Sequence, residues 1–401
     1  MKINTNPEKI DRILERGTIE KILPSKEEFK KKLLSGKRLT FYIGFDPTAS
    51  NLHLGHAQNF ILMEKLRKLG HEVIILFGDF TARIGDPTGK EATRKQLTRK
   101  EVLENVKDWK EMIKPLMDFQ NKENPVKIKY NHNWLSKLSL EEIIKLATNF
   151  TVQQMLERDM FQKRLKEEKP IYLHEFLYPL MQGYDSVAMN VDVEVCGTDQ
   201  IFNALAGRTL LKKTKKKEKF VVATHLLANP KTGEKMSKST GTGVFINTPA
   251  KDIYGQVMAQ PDEMIKPLFI HTTLLPLKQI KKITKQNPKE AKMRLAYEIT
   301  KIFHGEEKAK KAKQHFINVF QKNKKPEDIE EYKVKDKEKD IIDLLNNCGL
   351  VKSKGEARRL IKQGGIRINN KKIKKPKTLK IPEEGLILQR GKRKFKKIVL
   401  K

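Results

Sequence analysis

The sequence predicts an α/β protein: a parallel sheet wound with helices comes first, an all-helical segment follows, and a small basic α+β module closes the chain. Three observations lead there. Apolar, β-branched runs at Leu39–Phe45 and His71–Phe77 flank a helical pattern and each ends in a loop rich in Gly, Asp and Pro, which is a βαβ alternation. Residues 250–325 carry helical periodicity throughout. Residues 339–401 hold 20 Lys and Arg against 5 Asp and Glu, so 15 of the 34 net positive charges lie in the tail.

With 401 residues the chain has length for two or three domains. It carries 83 Lys and Arg against 49 Asp and Glu, a net charge of +34. That excess goes beyond what a small acidic substrate needs and fits a polyanionic surface, nucleic acid foremost; a genome biased towards lysine codons would add to it. The opening MKINTNPEKIDRILERG lacks the apolar stretch of a signal peptide, and no run of about 18 apolar residues is present, so no membrane span and a cytoplasmic location are expected. Cys196 and Cys348 stand far apart in no motif, which fits a reducing compartment better than a disulfide scaffold.

Taken in order, residues 1–35 read as an amphipathic helix and a shorter one, split at Leu23-Pro24. Leu39–Phe45 reads as a buried strand, broken by Asp46-Pro47-Thr48 because proline cannot continue a central ladder. The next helix has Phe60, Met63 and Leu66 three apart and Gly70 as its stop. His53 and His56 fall on one side of its first turn. A helix N-terminus fed by a strand is a phosphate site, imidazoles can donate to phosphate, and Gly55 allows a ligand close to the backbone. The same pair could serve packing; zinc would need third and fourth ligands, and no Cys/His cluster lies near. The second strand runs into Gly78-Asp79 and on to Ile84-Gly85-Asp86-Pro87-Thr88-Gly89, so Asp46 and the 78–89 loop both lie where parallel sheets bind ligands.

Residues 100–185 are mostly helical, with one strand at Val126–Tyr130, and read as an insertion between two halves of the sheet. Tyr178, Gln182 and Asp185 share a helical face among Leu177, Leu180, Met181 and Val187, with Pro179 starting or kinking the helix. Buried polar groups require partners, so the strip either meets a ligand or forms an internal hydrogen-bond network. Asn190–Val195 alternates as a strand, Cys196-Gly-Thr-Asp199-Gln200 opens a helix capped by Thr198 or Asp199, and Phe220–Leu227 is strand-like again. The run KKTKKKEK at 212–219 is a solvated face with phosphate contact in reach. Residues 229–243, NPKTGEKMSKSTGTG, form a polar loop with hinges at Gly233, Gly241 and Gly243 and with Lys235 and Lys238 three apart.

Lys289–Phe303 is the clearest helix of the following segment, stopped at Gly305, and residues 323–338 have linker composition. In the tail, Ser353-Lys-Gly-Glu356 is a capping box whose helix puts Lys354, Arg358 and Lys362 on one face. Gly364-Gly365 ends it, and a hairpin turns at Asn369-Asn370. A basic helix beside a basic hairpin suits RNA phosphates, or forms a solvated face.

His53-Leu-Gly-His56 and Lys235-Met-Ser237-Lys238-Ser resemble, in order, the two signatures of class I aminoacyl-tRNA synthetases. With Tyr42-Ile-Gly-Phe-Asp-Pro-Thr, Ile-Gly-Asp86-Pro-Thr-Gly, the Tyr178/Gln182/Asp185 spacing, Gly-Thr-Asp199-Gln200 and an S4-like tail, the chain is similar to bacterial tyrosyl-tRNA synthetases from about residue 35 to its end. The resemblance implies a Rossmann-like parallel-sheet catalytic domain over 1–248, with a helical insertion at about 100–188 and the loop at 229–243. It further implies an all-α tRNA anticodon-binding domain over 249–325, a linker at 326–338 and an α+β S4-like RNA-binding domain over 339–401. It implies that Tyr42 and Asp185 bind the substrate phenol and that Asp86, Tyr178, Gln182 and Gln200 hold the rest of the tyrosine. Gly44, Asp46, Thr48, Gly55, Asp199 and Ser237 would contact ATP or the adenylate, and His53, His56, Lys235 and Lys238 would clamp the phosphates. ATP with Mg²⁺, tRNA(Tyr) and tyrosine are the implied ligands, with no protein-bound metal, a homodimer through the insertion, and no leftover segment for an editing domain. A tryptophanyl-type relative and a non-catalytic RNA-binding derivative are the competing readings; Tyr42 with Asp185 and the tail weigh against the first, the intact signatures against the second. The departures are Ile43, Cys196 where many members have glycine, and Ile201-Phe202 where some have Trp-Gly.

Overall fold

The computed structural model describes residues 2–87, 97–234, 236, 242–321, 329–391 and 394–401. The chain divides into two units, Met1–Ala309 and Lys310–Lys401.

In chain order come α1 (Pro7–Leu14), β1 (Ile19–Leu23), α2 (Lys26–Leu34), β2 (Thr40–Phe45), α3 (Leu54–Lys68), β3 (Glu72–Phe77), α4 (Arg99–Ile113) and β4 (Lys127–Tyr130). Four short helices follow, α5 (His132–Leu135), α6 (Leu140–Ala147), α7 (Val152–Leu156) and α8 (Asp159–Lys166). Then come α9 (Leu173–Met189), β5 (Val193–Gly197), α10 (Ile201–Lys215) and β6 (Phe220–Thr224). Beyond them lie α11 (Ala250–Met258), α12 (Ile265–Thr272), α13 (Leu277–Ile283), α14 (Pro288–His304), α15 (Glu306–Phe316) and a π-type turn, Ile317–Gln321, so residues 250–321 hold helices and no strand. No helix among the described residues is long and apolar enough to cross a membrane.

The sheet runs β1-β6-β5-β2-β3-β4, with β1 antiparallel to β6 and the other pairs parallel. From β2 the chain winds outward through β3 to β4, then returns to lay β5 and β6 on the other side. The reversal leaves a crevice at the carboxyl ends of β2 and β5. Tyr42 on β2 is in register with Glu194 on β5, so both side chains project from the same face.

Several expectations change. β1 replaces helix in the first 35 residues: Ile-Glu-Lys-Ile-Leu is too short for its period to discriminate, and pairing with β6 decides it. β4 belongs to the main sheet as its edge beside β3, so the segment outside the sheet starts only after Tyr130. β5 starts three residues later than read, because Asn190 is the left-handed C-cap of α9 (φ +50°). Neither Thr198 nor Asp199 caps α10; Gly197 and Gln200 hold the N-cap positions of the 3₁₀ turn and the helix, without side-chain caps. α14 and its Gly305 stop stand within a residue of the reading.

In the second unit, β7 (Glu331–Val334) and β8 (Glu338–Asp340) precede α16 (Ile341–Asn347) and α17 (Lys354–Lys362). After them come β9 (Ile366–Ile368), β10 (Lys371–Lys372), β11 (Thr378–Lys380), β12 (Leu386–Arg390) and β13 (Lys394–Leu400). A five-stranded sheet, β10-β9-β12-β13-β7, and the pair β11-β8 enclose a core that includes Ile341, Leu345, Ile361, Ile366, Leu388 and Ile398. Part of the expected linker is therefore strand: Val334 is buried and Tyr332 packs on the core, so two apolar residues suffice to dock a charged segment. The hairpin turns on Asn369 (φ +45°) and Asn370 (φ +71°), as read. Only half of the capping box forms: Ser353 Oγ accepts from Glu356 N at 3.2 Å, while the Glu356 carboxylate takes the amide of Lys352.

α9 and α10 cross where neither has a side chain. A methyl on Gly183 would stand 3.1 Å from Gly207 N, 3.2 Å from Ala206 C and 3.0 Å from Leu210 Cδ1. Gly183→Ala is therefore expected to overpack the crossing and lower stability by about 1–3 kcal/mol, read as a reduced urea midpoint; an unchanged midpoint would show that the helices can part freely.

Candidate active site

The crevice between β2 and β5 opens into a cavity of about 500 Å³. Strand β2 supplies Tyr42 and Gly44, the residue after it Asp46, the start of α3 His53, Gly55 and His56, and the turn after β3 Thr81 and Asp86. Helix α9 adds Tyr178, Gln182 and Asp185; β5 and the turn after it add Glu194, Asp199 and Gln200. Of the residues singled out in the sequence, Thr48 is exposed and does not line the cavity. Lys235, Ser237 and Lys238 lie outside the described residues; Met236 between them lines the cavity, tied by its amide to Leu227 O at 2.9 Å. Lys354, Arg358 and Lys362 are exposed on α17 in the other unit.

At one end, Tyr42 Oη lies 3.0 Å from Ser186 Oγ. Asp185 Oδ1 accepts from Trp134 Nε1 at 2.7 Å, and its Oδ2 from Asn131 Nδ2 at 3.4 Å. Loss of solvent pushes the Asp185 carboxyl up, against the pull of those two donors, and pushes the Tyr42 phenol up as well, so Tyr42 stays protonated. Tyr42 and Asp185 thus face one cavity without bonding each other.

Along the wall, Tyr178 Oη donates to Asp46 Oδ2 at 2.8 Å and Thr81 Oγ1 to Asp46 Oδ1 at 2.7 Å. Asn203 Nδ2 donates both to Gln182 Oε1 (3.0 Å) and to Gln200 Oε1 (2.9 Å), which turns the two glutamine amides outward, to Glu194 Oε1 (3.0 Å) and Asp86 Oδ2 (2.6 Å). The polar strip of α9 is therefore hydrogen-bonded and a cavity wall at once, and the Asn203 Oδ1 behind it is buried without a partner among the described residues.

His53 is the N-cap of α3: its Nδ1 accepts from Gly55 N at 3.1 Å, and His56 Nδ1 accepts from His53 N at 3.3 Å. With both Nδ1 atoms accepting, each ring carries its hydrogen on Nε2. Loss of solvation pulls the two down to about 4 (His53) and about 3 (His56), so both are neutral donors near pH 7. Gly55 is needed less for the ligand than for the cap, since a methyl there would sit 2.8 Å from His53 Cε1. Among the described residues no cluster of three or more His, Cys, Asp or Glu could hold a metal ion.

Sequence reasoning missed Trp134, Asn131, Thr81, Ser186, Asn203 and Glu194, and it placed Lys219 in the solvated 212–219 run, whereas that side chain is completely buried against Glu194. Only Glu194 left a signal, a carboxylate between Val193 and Val195 in an otherwise apolar strand.

The family described as tRNA synthetases class I (W and Y) matches residues 34–321, and that described as the tyrosine–tRNA ligase SYY-like C-terminal domain matches 321–398. The chain is 41% identical to the tyrosine–tRNA ligase of Thermotoga maritima, over 98% of each chain, and 42% identical to that of Aquifex aeolicus, over 98% of this chain and 99% of the other. Among solved structures, a truncated mitochondrial tyrosyl-tRNA synthetase of Coccidioides posadasii superposes with TM-score 0.63 at 26% identity, covering 76% of this chain and 91% of its own. A tyrosyl-tRNA synthetase of Archaeoglobus fulgidus complexed with L-tyrosine shares the fold, with TM-score 0.58 at 19% identity over 76% of this chain and 99% of its own.

Desolvation raises Asp46 from the usual carboxylate range to about 7, against the two hydroxyl donors. A folded-state pKa above the unfolded one stabilises the fold at low pH, and that contribution is lost as pH rises from about 4 through 7. Asp46→Asn cannot lose it. Its thermal midpoint relative to the parent chain is expected to be more favourable at pH 8 than at pH 5, by a few degrees; equal differences would mean that Asp46 titrates normally.

Proposed function

The chain belongs to the tyrosine–tRNA ligases of the class I synthetases, and on that footing we propose how its residues divide the work. Such a ligase activates L-tyrosine with ATP to tyrosyl-adenylate and pyrophosphate, then transfers the tyrosyl group to the 3′-terminal adenosine of tRNA. The phenol lies between Tyr42 and Asp185, and the amino group at Asp86, Tyr178 and Gln182, backed by Gln200. Gly44, Asp46 and Asp199 border the nucleotide, and Ser237 is a further contact to it, whereas the exposed Thr48 is left out. His53 and His56, together with Lys235 and Lys238, clamp the triphosphate. The observation that carries this division is the single cavity shared by Tyr42, Asp185 and the two histidines.

The tyrosine carboxylate attacks the α-phosphorus and pyrophosphate leaves; a ribose hydroxyl of tRNA then attacks the adenylate carbonyl and AMP leaves. The first step needs alignment and charge neutralisation, and no protein nucleophile. Neutral imidazoles donating through Nε2 suit developing charge on phosphate oxygens. Mg²⁺ accompanying the nucleotide would supply further charge neutralisation on its phosphates, beside the donors from His53 and His56. A phenol-matched pocket leaves Tyr42 and Asp185 unpaired against phenylalanine, a rule of which the tyrosyl enzymes are the general illustration, and it counts against the tryptophanyl reading.

Residues 249–325 bind the anticodon arm, and Lys354, Arg358 and Lys362 of the tail meet RNA phosphates. Lys354 is held by Asp343 at 2.6 Å, whereas Arg358 and Lys362 form no ion pair among the described residues. The insertion pairs two copies of the chain: Leu140 (73% exposed), Leu173 (79% exposed), Ile144 and Val152 present apolar surface there, and mass in solution is the check. A cytoplasmic location fits these partners.

ATP–pyrophosphate exchange tests the site. Exchange is expected with tyrosine and not with tryptophan or phenylalanine, and Lys235→Ala is expected to lower its kcat with tyrosine affinity kept within about twofold; exchange driven equally by tryptophan, or an unchanged rate in the variant, would overturn the assignment. For the tail, Arg358→Ala with Lys362→Ala is expected to weaken tRNA binding and reduce its salt slope by about 2, while amino-acid-dependent exchange stays as it was. An unaltered slope would remove these side chains from the RNA interface.

A further inference from the structure

A lysine lies buried behind the phenol end of the cavity, where nothing in the reaction calls for a cation. The Lys219 side chain is 0% exposed and that of its partner Glu194 is 2% exposed. Its ammonium donates to Glu194 Oε2 and, at 2.8 Å, to Ser186 Oγ, and lies 5.8 Å from the centre of the Tyr42 ring. Ser186 Oγ is in turn 3.0 Å from Tyr42 Oη and 3.4 Å from Glu194 Oε2. A buried ion pair is costly to desolvate, and packed apolar side chains fill such a space at lower cost. Its place beside Tyr42 therefore calls for an explanation outside stability.

We propose that Lys219, held by Glu194, is a positioning residue for substrate choice: through Ser186 it fixes Tyr42 as a hydrogen-bond donor towards the amino-acid pocket. The argument is one of counting hydrogens. An ammonium can only donate, so Ser186 Oγ accepts from Lys219 and has one hydrogen of its own to give. The nearer acceptor is Tyr42 Oη at 3.0 Å; Glu194 Oε2, at 3.4 Å and already engaged by the ammonium, is the longer and weaker alternative. Once Tyr42 Oη accepts from Ser186, its own hydrogen can turn to the cavity or to the Glu194 carboxylate, and the ammonium already bonded to that carboxylate weakens it as the rival acceptor. A substrate hydroxyl then accepts from Tyr42 and donates to Asp185, whose oxygens are already oriented by Trp134 and Asn131. Without the cation Ser186 is free to turn and Tyr42 can donate backwards to it; without Ser186 the Tyr42 hydrogen can turn to Glu194; in either case a substrate phenol meets a lone pair instead of a hydrogen. The proposal rests on the reading that Tyr42 and Asp185 face the phenol.

The test is ATP–pyrophosphate exchange by the full chain with tyrosine and with phenylalanine, together with thermal midpoints. Lys219→Met alone strands the Glu194 charge, so the informative variants are Lys219→Met/Glu194→Gln, which keeps the interior neutral, and Ser186→Ala, which keeps the ion pair and removes the relay. Each is expected to raise KM for tyrosine about tenfold with kcat within about twofold. The preference for tyrosine over phenylalanine should fall by the same factor. Phenylalanine carries the same amino group, so any disturbance passed from Glu194 to Gln182 strikes both substrates alike and the ratio isolates the hydroxyl. Combining the three substitutions should cost no more than either set alone. An unchanged preference in variants that fold, or equal losses for both amino acids, overturns the proposal. Tyr42→Phe separates the two levels: if it raises KM for tyrosine and the other variants do not, only the role of Lys219 fails, whereas if it has no effect the pocket reading fails with it.

Discussion

A parallel sheet that is wound outward from its middle in both directions cannot close the gap between its two central strands, and that constraint governs this molecule. β2 and β5 are neighbours at Phe41 and Tyr42, yet their connections leave towards opposite edges. The loops after Phe45 and Gly197 must diverge, and α3 starts at the lip of the gap. In the first unit that divergence places the side chains of β2, of the start of α3 and of the turns after β3 and β5; α9 adds its polar strip, and α5 and α10 bring in the side chains that orient it. Strand identity could change widely without altering this. Strand order could not.

The cavity wall is made of groups that water has left, and each answers in the direction its chemistry dictates. The imidazoles are driven to the neutral form, the tyrosines keep their protons, and Asp46 is brought close to the pH of its surroundings. Hydrogen bonds set the orientation that charge alone would leave open. Asn203 aligns two glutamines, and Trp134 and Asn131 align one carboxylate. Specificity for a phenol and attraction for a triphosphate thus arise from one desolvated wall with different donors at its two ends.

What the sequence made legible follows from locality. β2, α3 and β3 could be read because strands buried on both faces appear as unbroken apolar runs, and because His53, Gly55 and His56 act within one helical turn. The strip of Tyr178, Gln182 and Asp185 could be read because one helix holds all three. Trp134 and Asn131 could not, because they reach Asp185 from more than fifty residues away through a segment with no motif. Lys219, just before β6, and Glu194 on β5 stand 25 residues apart, and only pairing β5 with β6 unites them. β1 and β7 were lost for another reason: each is an outer strand whose few apolar residues carry no period, so its identity resides in the neighbour it pairs with.

The caps on α3 carry a thermodynamic consequence. Both Nδ1 atoms are engaged by the first amides of the helix, so the imidazoles are oriented before any nucleotide arrives. The rotational freedom of these rings is surrendered once, when the polypeptide folds, and not again with every ATP that enters. A phosphate donor built in this way is stiff by birth, and the slack needed to admit one nucleotide and discharge the next must come from other parts of the molecule.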